Sequence, residues 1–175
     1  QEFLLNSAQK ELIEQKGLHH WALAKSFKDS GEWTGVATAS HWQPQTSVPV
    51  KSPGAEPFAG TPKMSLISTY PIEDGRALMI VNVHALNFNL SHGDFKDQVD
   101  DLVGRIKEHQ GPMVLAGDFN TWAETRREYL LKKTKTLGLE RAQLENPMGF
   151  YSTTLDHIFY RGVKVDEERV LTDIE

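Results

Sequence analysis

Apolar residues recur along the chain with two different periods, and each period predicts elements. Phe95, Val99, Leu102 and Ile106 are spaced four, three and four residues apart, the apolar stripe of an amphipathic helix. Met64 to Tyr70 and Arg76 to His84 read as strands, separated by Pro71 and a turn at Asp74-Gly75, and so form a hairpin. In the second strand Ala77, Met79, Val81 and Val83 stand on one face and Leu78 and Ile80 on the other, which calls for cover on both sides. Only Asn82 and His84 break that pattern, at the strand's end. Pro112 to Ala116 is a short buried strand running into Gly117-Asp118-Phe119-Asn120. A helix follows near Glu124 to Leu137 with Gly138 as its stop, and the last strand, Leu155 to Tyr160, contains Asp156-His157 at its start.

Toward the N-terminus the signals are shorter. Ser7 as N-cap, Ala8 and Leu12 four apart, and Gly17 as stop predict a helix over 7–16, and small and β-branched residues from Trp33 to Ser40 predict a strand. Between Gln43 and Pro62 the prolines at 44, 49, 53, 57 and 62 predict a long surface loop. Strands alternating with helices, with hairpins added and no internal repeat, give one α/β domain with a mixed sheet or sheets.

Composition narrows the function. At 175 residues, 39% hydrophobic and 25% charged, the chain fits one globular domain with a real core. A net charge of −5 excludes the global positive field of a nonspecific nucleic-acid coat and leaves room only for local basic patches. The absence of cysteine excludes disulfides, thiolate zinc sites and a thiol nucleophile. No apolar run approaches the ~18 residues of a membrane helix, so stable membrane insertion is not expected, and the chain reads as cytoplasmic with no obligate protein partner. HExxH, Walker A and GxGxxG patterns are absent.

Three strands begin or end on acid, amide or imidazole groups: Asn82 and His84, Asp118 and Asn120, Asp156 and His157. Each alone has a plain reading, a satisfied histidine or an Asx turn. Together they could converge on one site, because carboxylate and amide oxygens suit a hard cation and histidine suits proton transfer near neutrality. Since side chains alternate along a strand, His157 should face away from Asp156 and serve structure.

These residues complete a resemblance to the endonuclease/exonuclease/phosphatase (DNase I-like) superfamily. Gly117-Asp118-Phe119-Asn120 resembles its GDFN signature, Val81-Asn82-Val83-His84 its strand-ending N-x-H, and Leu155-Asp156-His157-Ile158-Phe159 its DHIF strand. Gln1-Glu2 is similar to the end of its LQE motif and Glu56-Pro57 to an EP step, so five pieces stand in family order. Thr121-Trp122 and Tyr160-Arg161-Gly162 resemble a bacterial branch for which no substrate is implied. The fold implied is a four-layer α/β/β/α sandwich, two face-packed mixed sheets flanked by helices. The family's closing S-D-H motif and its first strand are not in these 175 residues, so the chain is expected to be an interior piece, truncated at both ends, of a domain of roughly 250 residues.

The resemblance implies Glu2 as the carboxylate ligand of Mg²⁺ or Mn²⁺, Asp118 orienting or deprotonating the attacking water, and Asn120 holding that water or a phosphate oxygen. His84 would donate to the phosphate or the leaving group, with Glu56 as the carboxylate partner that raises its pKa; Asp156 would orient the S-D-H histidine. Asn87 matches a position where some members contact phosphate through an amide. Trp122 would stack on a base, pack on lipid or cap the core beside the loop. Arg126 leads a cluster with Arg127, Lys132, Lys133 and Lys135 that would grip a polyanion or form a solvated helix face. The expected activity is metal-dependent phosphodiester hydrolysis, on DNA or RNA first, with a phospholipid or inositol-phosphate hydrolase and a non-catalytic binding module on the same fold as alternatives.

Overall fold

The computed structural model describes residues 3–4, 11, 13–56, 60–87, 92–143 and 155–168. Strands β1 (Phe3–Leu4), β2 (His20–Asp29) and β3 (Glu32–Ser40) make an antiparallel sheet in the order β1-β3-β2. Six further strands make a mixed sheet: β4 (Thr46–Ala55), β5 (Pro62–Pro71), β6 (Ala77–His84), β7 (Met113–Asp118), β8 (Glu140–Arg141) and β9 (Asp156–Arg161), in the order β4-β5-β6-β7-β9-β8. Only the β6–β7 pair is parallel among the described ladders, as the connection through helix α1 (His92–Ile106) requires. Helix α2 (Glu124–Thr136) follows β7 and ends on Gly138 at φ 68°.

The two faces of β6 take different partners, as its double apolar pattern demands. Met79, Val81 and Val83 pack with Phe95, Val99, Leu102 and Ile106 of α1 in the main core. On the other face the sheets meet over small residues, Ala22, Ala24 and Val36 against Met64 and Leu66. Asn82, which interrupts the apolar run, ties the layers together: its amide donates to Ala37 O at 2.9 Å and to Thr38 Oγ1 at 3.3 Å. Ser26 Oγ adds a second tie to Pro62 O. Outside the small sheet, Glu11, Ile13 and Glu14 are helical and Glu14 accepts from Trp21 Nε1. Ser7 to Lys10 and Leu12 of the expected helix lie outside the described residues.

Two expectations change. The segment from Gln43 to Pro62 is not a long loop, because Thr46–Ala55 forms β4, paired from Thr46↔Thr69 to Ala55↔Pro62. Among the described strands β4 is the edge of its sheet, so Pro49 can sit in it despite its missing N–H, and Pro53 falls in the irregularity between Lys51 and Ala55 where the ladder is interrupted. Strand β2 has no counterpart in the sequence reading, since Ala22 and Ala24 are too small to register as an apolar face. Among the described residues no helix is long and apolar enough to cross a membrane.

Candidate active site

The register of three strands assembles the site. His84 pairs with Asp118 across the parallel β6–β7 ladder, and Asp118 with Asp156 across the antiparallel β7–β9 ladder. Register partners project to the same face of a sheet, so these three side chains form one row across three hydrogen-bonded strands. The row faces the small sheet, because His84 shares its side of β6 with Asn82. His84 also lines a cavity of about 230 Å³ between the sheets, with Leu4, Phe27, Val36, Lys63 and Met64. A larger cavity, about 550 Å³, opens at the opposite strand ends among Trp42, Tyr70, Ile72, Leu78 and Ile80, and no acid, imidazole or cation lines it. Of the two cavities, the smaller one has the ionisable lining, Asp29, Lys63 and His84.

Glycine is required where β7 approaches β6. A Cβ on Gly117 would lie 1.9 Å from Val83 O, so no other residue fits the position before Asp118. The turn that follows is an Asx turn, with Asn120 N donating to Asp118 Oδ1 at 2.8 Å and Asn120 itself at φ 49°. That bond orients the carboxylate, and Asp118 Oδ2 stands 3.9 Å from His84 Nε2, beyond a direct hydrogen bond. Asn120 is buried and its amide donates to Ala85 O at 2.9 Å, so it braces the loop after β6.

That loop is held carbonyl by carbonyl. His84 O accepts from Gln98 Nε2, Ala85 O from Asn120, and Leu86 O from Arg126 NH1 at 2.8 Å, while Leu86 N donates to Gln98 Oε1. Gln98 escaped the sequence reading because a polar residue in an amphipathic helix gives no sign that it faces inward. Arg126 is a correction. Expected to grip substrate, it is 1% exposed, bonds Leu86 O and Asn120 O, and lies against the rings of Phe95 and Trp122. Its position on α2 turns it under both site loops, and burial lowers its pKa. In the rest of the cluster, Arg127 pairs with Glu124 and Lys133 with Asp100, the pairing of a solvated helix face. Trp122 is 43% exposed and donates to Asn87 Oδ1 at 3.2 Å, which joins the two loops above Arg126.

His84 and Glu56 also differ from expectation. Burial, reinforced by the charge of Lys63, pushes the His84 imidazole down to about 4 rather than up. The Glu56 carboxylate is engaged by Lys63 Nζ at 3.3 Å and by Thr61 Oγ1 at 3.4 Å. Near neutrality His84 is thus an uncharged imidazole. Asp156 is exposed, and partial desolvation by its surroundings raises its carboxyl from the ordinary value. Glu2 lies outside the described residues, among which no cluster of three acids or histidines is poised for a metal.

His157 faces the other way, as alternation requires, packed between Phe119 and Phe159 with Nε2 2.6 Å from Thr121 Oγ1. Its Nδ1 is buried with no hydrogen-bond partner among the described residues, and burial, then Arg141 and Arg127, lower its pKa from 6.5 to about 4. Below pH 6.5 the unfolded chain therefore takes up a proton that the native state refuses, and stability falls as the pH drops toward 4. The loss reaches roughly 3 kcal/mol at pH 4 from His157 alone. Urea denaturation at pH 7 and pH 4 measures it, and His157→Phe should flatten the dependence by about that amount; an unchanged slope would assign the acid sensitivity elsewhere.

Comparison with known proteins agrees with this architecture. Residues 1–175 match the profile of the Endonuclease/Exonuclease/phosphatase family. A UPF0294 protein of Vibrio vulnificus is 33% identical over 164 residues, covering 87% of this chain and 57% of that protein. This chain thus spans little more than half the length of the curated relatives it matches. Among solved structures, an endonuclease/exonuclease/phosphatase from Beutenbergia cavernae superposes with TM-score 0.70 at 18% identity, over 89% of this chain and 50% of that one. Sphingomyelinase C from Streptomyces griseocarneus gives 0.69 at 17% identity, over 99% and 74%. These last two likenesses establish the fold. With the profile matched from end to end and its signature residues at adjoining strand ends, the chain belongs to the endonuclease/exonuclease/phosphatase family.

Proposed function

We propose that the protein hydrolyses phosphodiesters with a divalent cation, Mg²⁺ or Mn²⁺, and that its substrate is nucleic acid. The observation that carries this reading is the row His84, Asp118 and Asp156, set by strand register beside a cleft between the sheets. Asp118, with Oδ1 held by Asn120 N, orients and deprotonates the attacking water through Oδ2. His84, neutral and at the cavity wall, donates a hydrogen bond to a phosphate oxygen. Oxygen donors at these strand ends suit a hard cation, and Glu2, which matches the end of the family's LQE motif, is the proposed carboxylate ligand. When bound, the cation neutralises charge on the phosphoryl oxygens. Nucleic acid is favoured by Trp122, an exposed indole held by Asn87 that offers a base the part of its ring not covered by Arg126.

The test is a panel on the full-length protein with Mg²⁺, Mn²⁺ or EDTA: supercoiled DNA, abasic DNA, RNA, sphingomyelin and inositol phosphates. Cleavage of at least one nucleic acid, abolished by EDTA, is expected. Hydrolysis of sphingomyelin or inositol phosphates alone would move the substrate to those classes, and hydrolysis of none would leave a binding module.

A further inference from the structure

Lys63 is the cleft residue that no sequence motif marks. It is the second residue of β5, its side chain is 13% exposed, and it lines the 230 Å³ cavity together with His84. Its backbone N–H is fixed by Ser52 Oγ at 3.1 Å, and its ammonium stands 3.3 Å from Glu56 Oε1. Glu56 is in turn fixed by Thr61, through Oγ1 at 3.4 Å and through the backbone at 3.0 Å. An ammonium has three N–H donors, and one carboxylate oxygen occupies one of them.

Charge makes this position matter. The row beside the cleft carries Asp118 and Asp156, which repel an incoming phosphate. Among the described residues that line the cavity, Lys63 is the one lysine or arginine and Asp29 the one acid, so Lys63 is the group there that can offset the carboxylates toward an anion.

We propose that Lys63 anchors the substrate by donating to a nonbridging phosphate oxygen at the cavity wall, with Glu56 holding its ammonium in position. This deepens the phosphoesterase reading and rests on it. Anchoring acts on bound substrate and transition state alike, so it should show in KM rather than in kcat.

The test compares wild type, Lys63→Met and Lys63→Arg in the full-length protein, with two readouts. On the substrate found in the panel, Lys63→Met should raise KM about 10- to 100-fold with kcat nearly unchanged, and Lys63→Arg should recover much of the loss. In EDTA, inorganic phosphate should bind wild type and shift the His84 ring signals in NMR, and Lys63→Met should abolish that shift. If wild type is active but Lys63→Met keeps KM and phosphate affinity within about twofold, the anchor is refuted and the pair with Glu56 only staples β4 to β5. If wild type hydrolyses nothing yet binds phosphate through Lys63, the anion site stands and the hydrolase reading falls. Failure of wild type to bind phosphate at all, or an equal loss in Lys63→Arg and Lys63→Met, would also overturn the proposal.

Discussion

Asp118→Asn in the full-length protein is expected to lower turnover by about 10²- to 10⁴-fold while leaving the melting temperature almost unchanged. The amide keeps an oxygen where Asp118 Oδ1 accepts from Asn120 N, so the Asx turn and the register with His84 and Asp156 persist. What disappears is the charge and the basicity of Oδ2, the atom facing His84. Asp118→Ala should lose as much rate with a small added cost in stability, about 1 kcal/mol for the missing acceptor. Asn120→Ala should behave differently, because the buried amide holds Ala85 O and its loss lowers stability as well as rate. Kinetics paired with thermal denaturation separate these cases. An Asp118→Asn protein with near wild-type turnover would refute the assignment of the base.

The second large effect falls on stability. Arg126→Met is expected to destabilise the fold by about 4 kcal/mol, since it removes charge-assisted bonds from two buried carbonyls, Leu86 O and Asn120 O, and leaves them dry. The methionine can still fill space between Phe95 and Trp122, so packing alone should not account for the loss. Arg126→Lys keeps the charge but not the planar fork, and should recover only part of it. Urea titration reads the change, and the loops carrying Asn87 and Asn120 should lose amide-exchange protection first. A midpoint equal to wild type in Arg126→Met would show that the guanidinium is not a strut.

What the sequence made legible followed periodicity and side-chain alternation. The stripe of α1, the two-faced pattern of β6 and the opposed directions of Asp156 and His157 are all visible in one dimension, because each depends on spacing within one element. The site row was legible as three strand ends, although its register is a property of pairs of strands and needed coordinates. β4 was hidden because proline signals an absent donor without saying whether a donor was needed, which depends on whether the strand is an edge. Arg126 was misjudged for a related reason. Charge reads as exposure unless other segments supply acceptors and rings, and two of those that do, at Leu86 and Phe95, are distant in sequence. Lys63 and Gln98 carry no motif, and only the cavity and the loop they face identify them.

Strand register also makes the site an all-or-none reporter of folding. Were β7 to slip by one residue against β6, the aspartate would turn into the greasy layer beneath α1, and Val83 O would meet a side chain where it now meets bare glycine. No partly misaligned sheet could keep a weakened site, because the same one-residue alternation decides what is core and what is chemistry. In any preparation, then, the fraction of molecules able to turn over should equal the fraction correctly paired, and intermediate activities should reflect mixtures rather than imperfect copies.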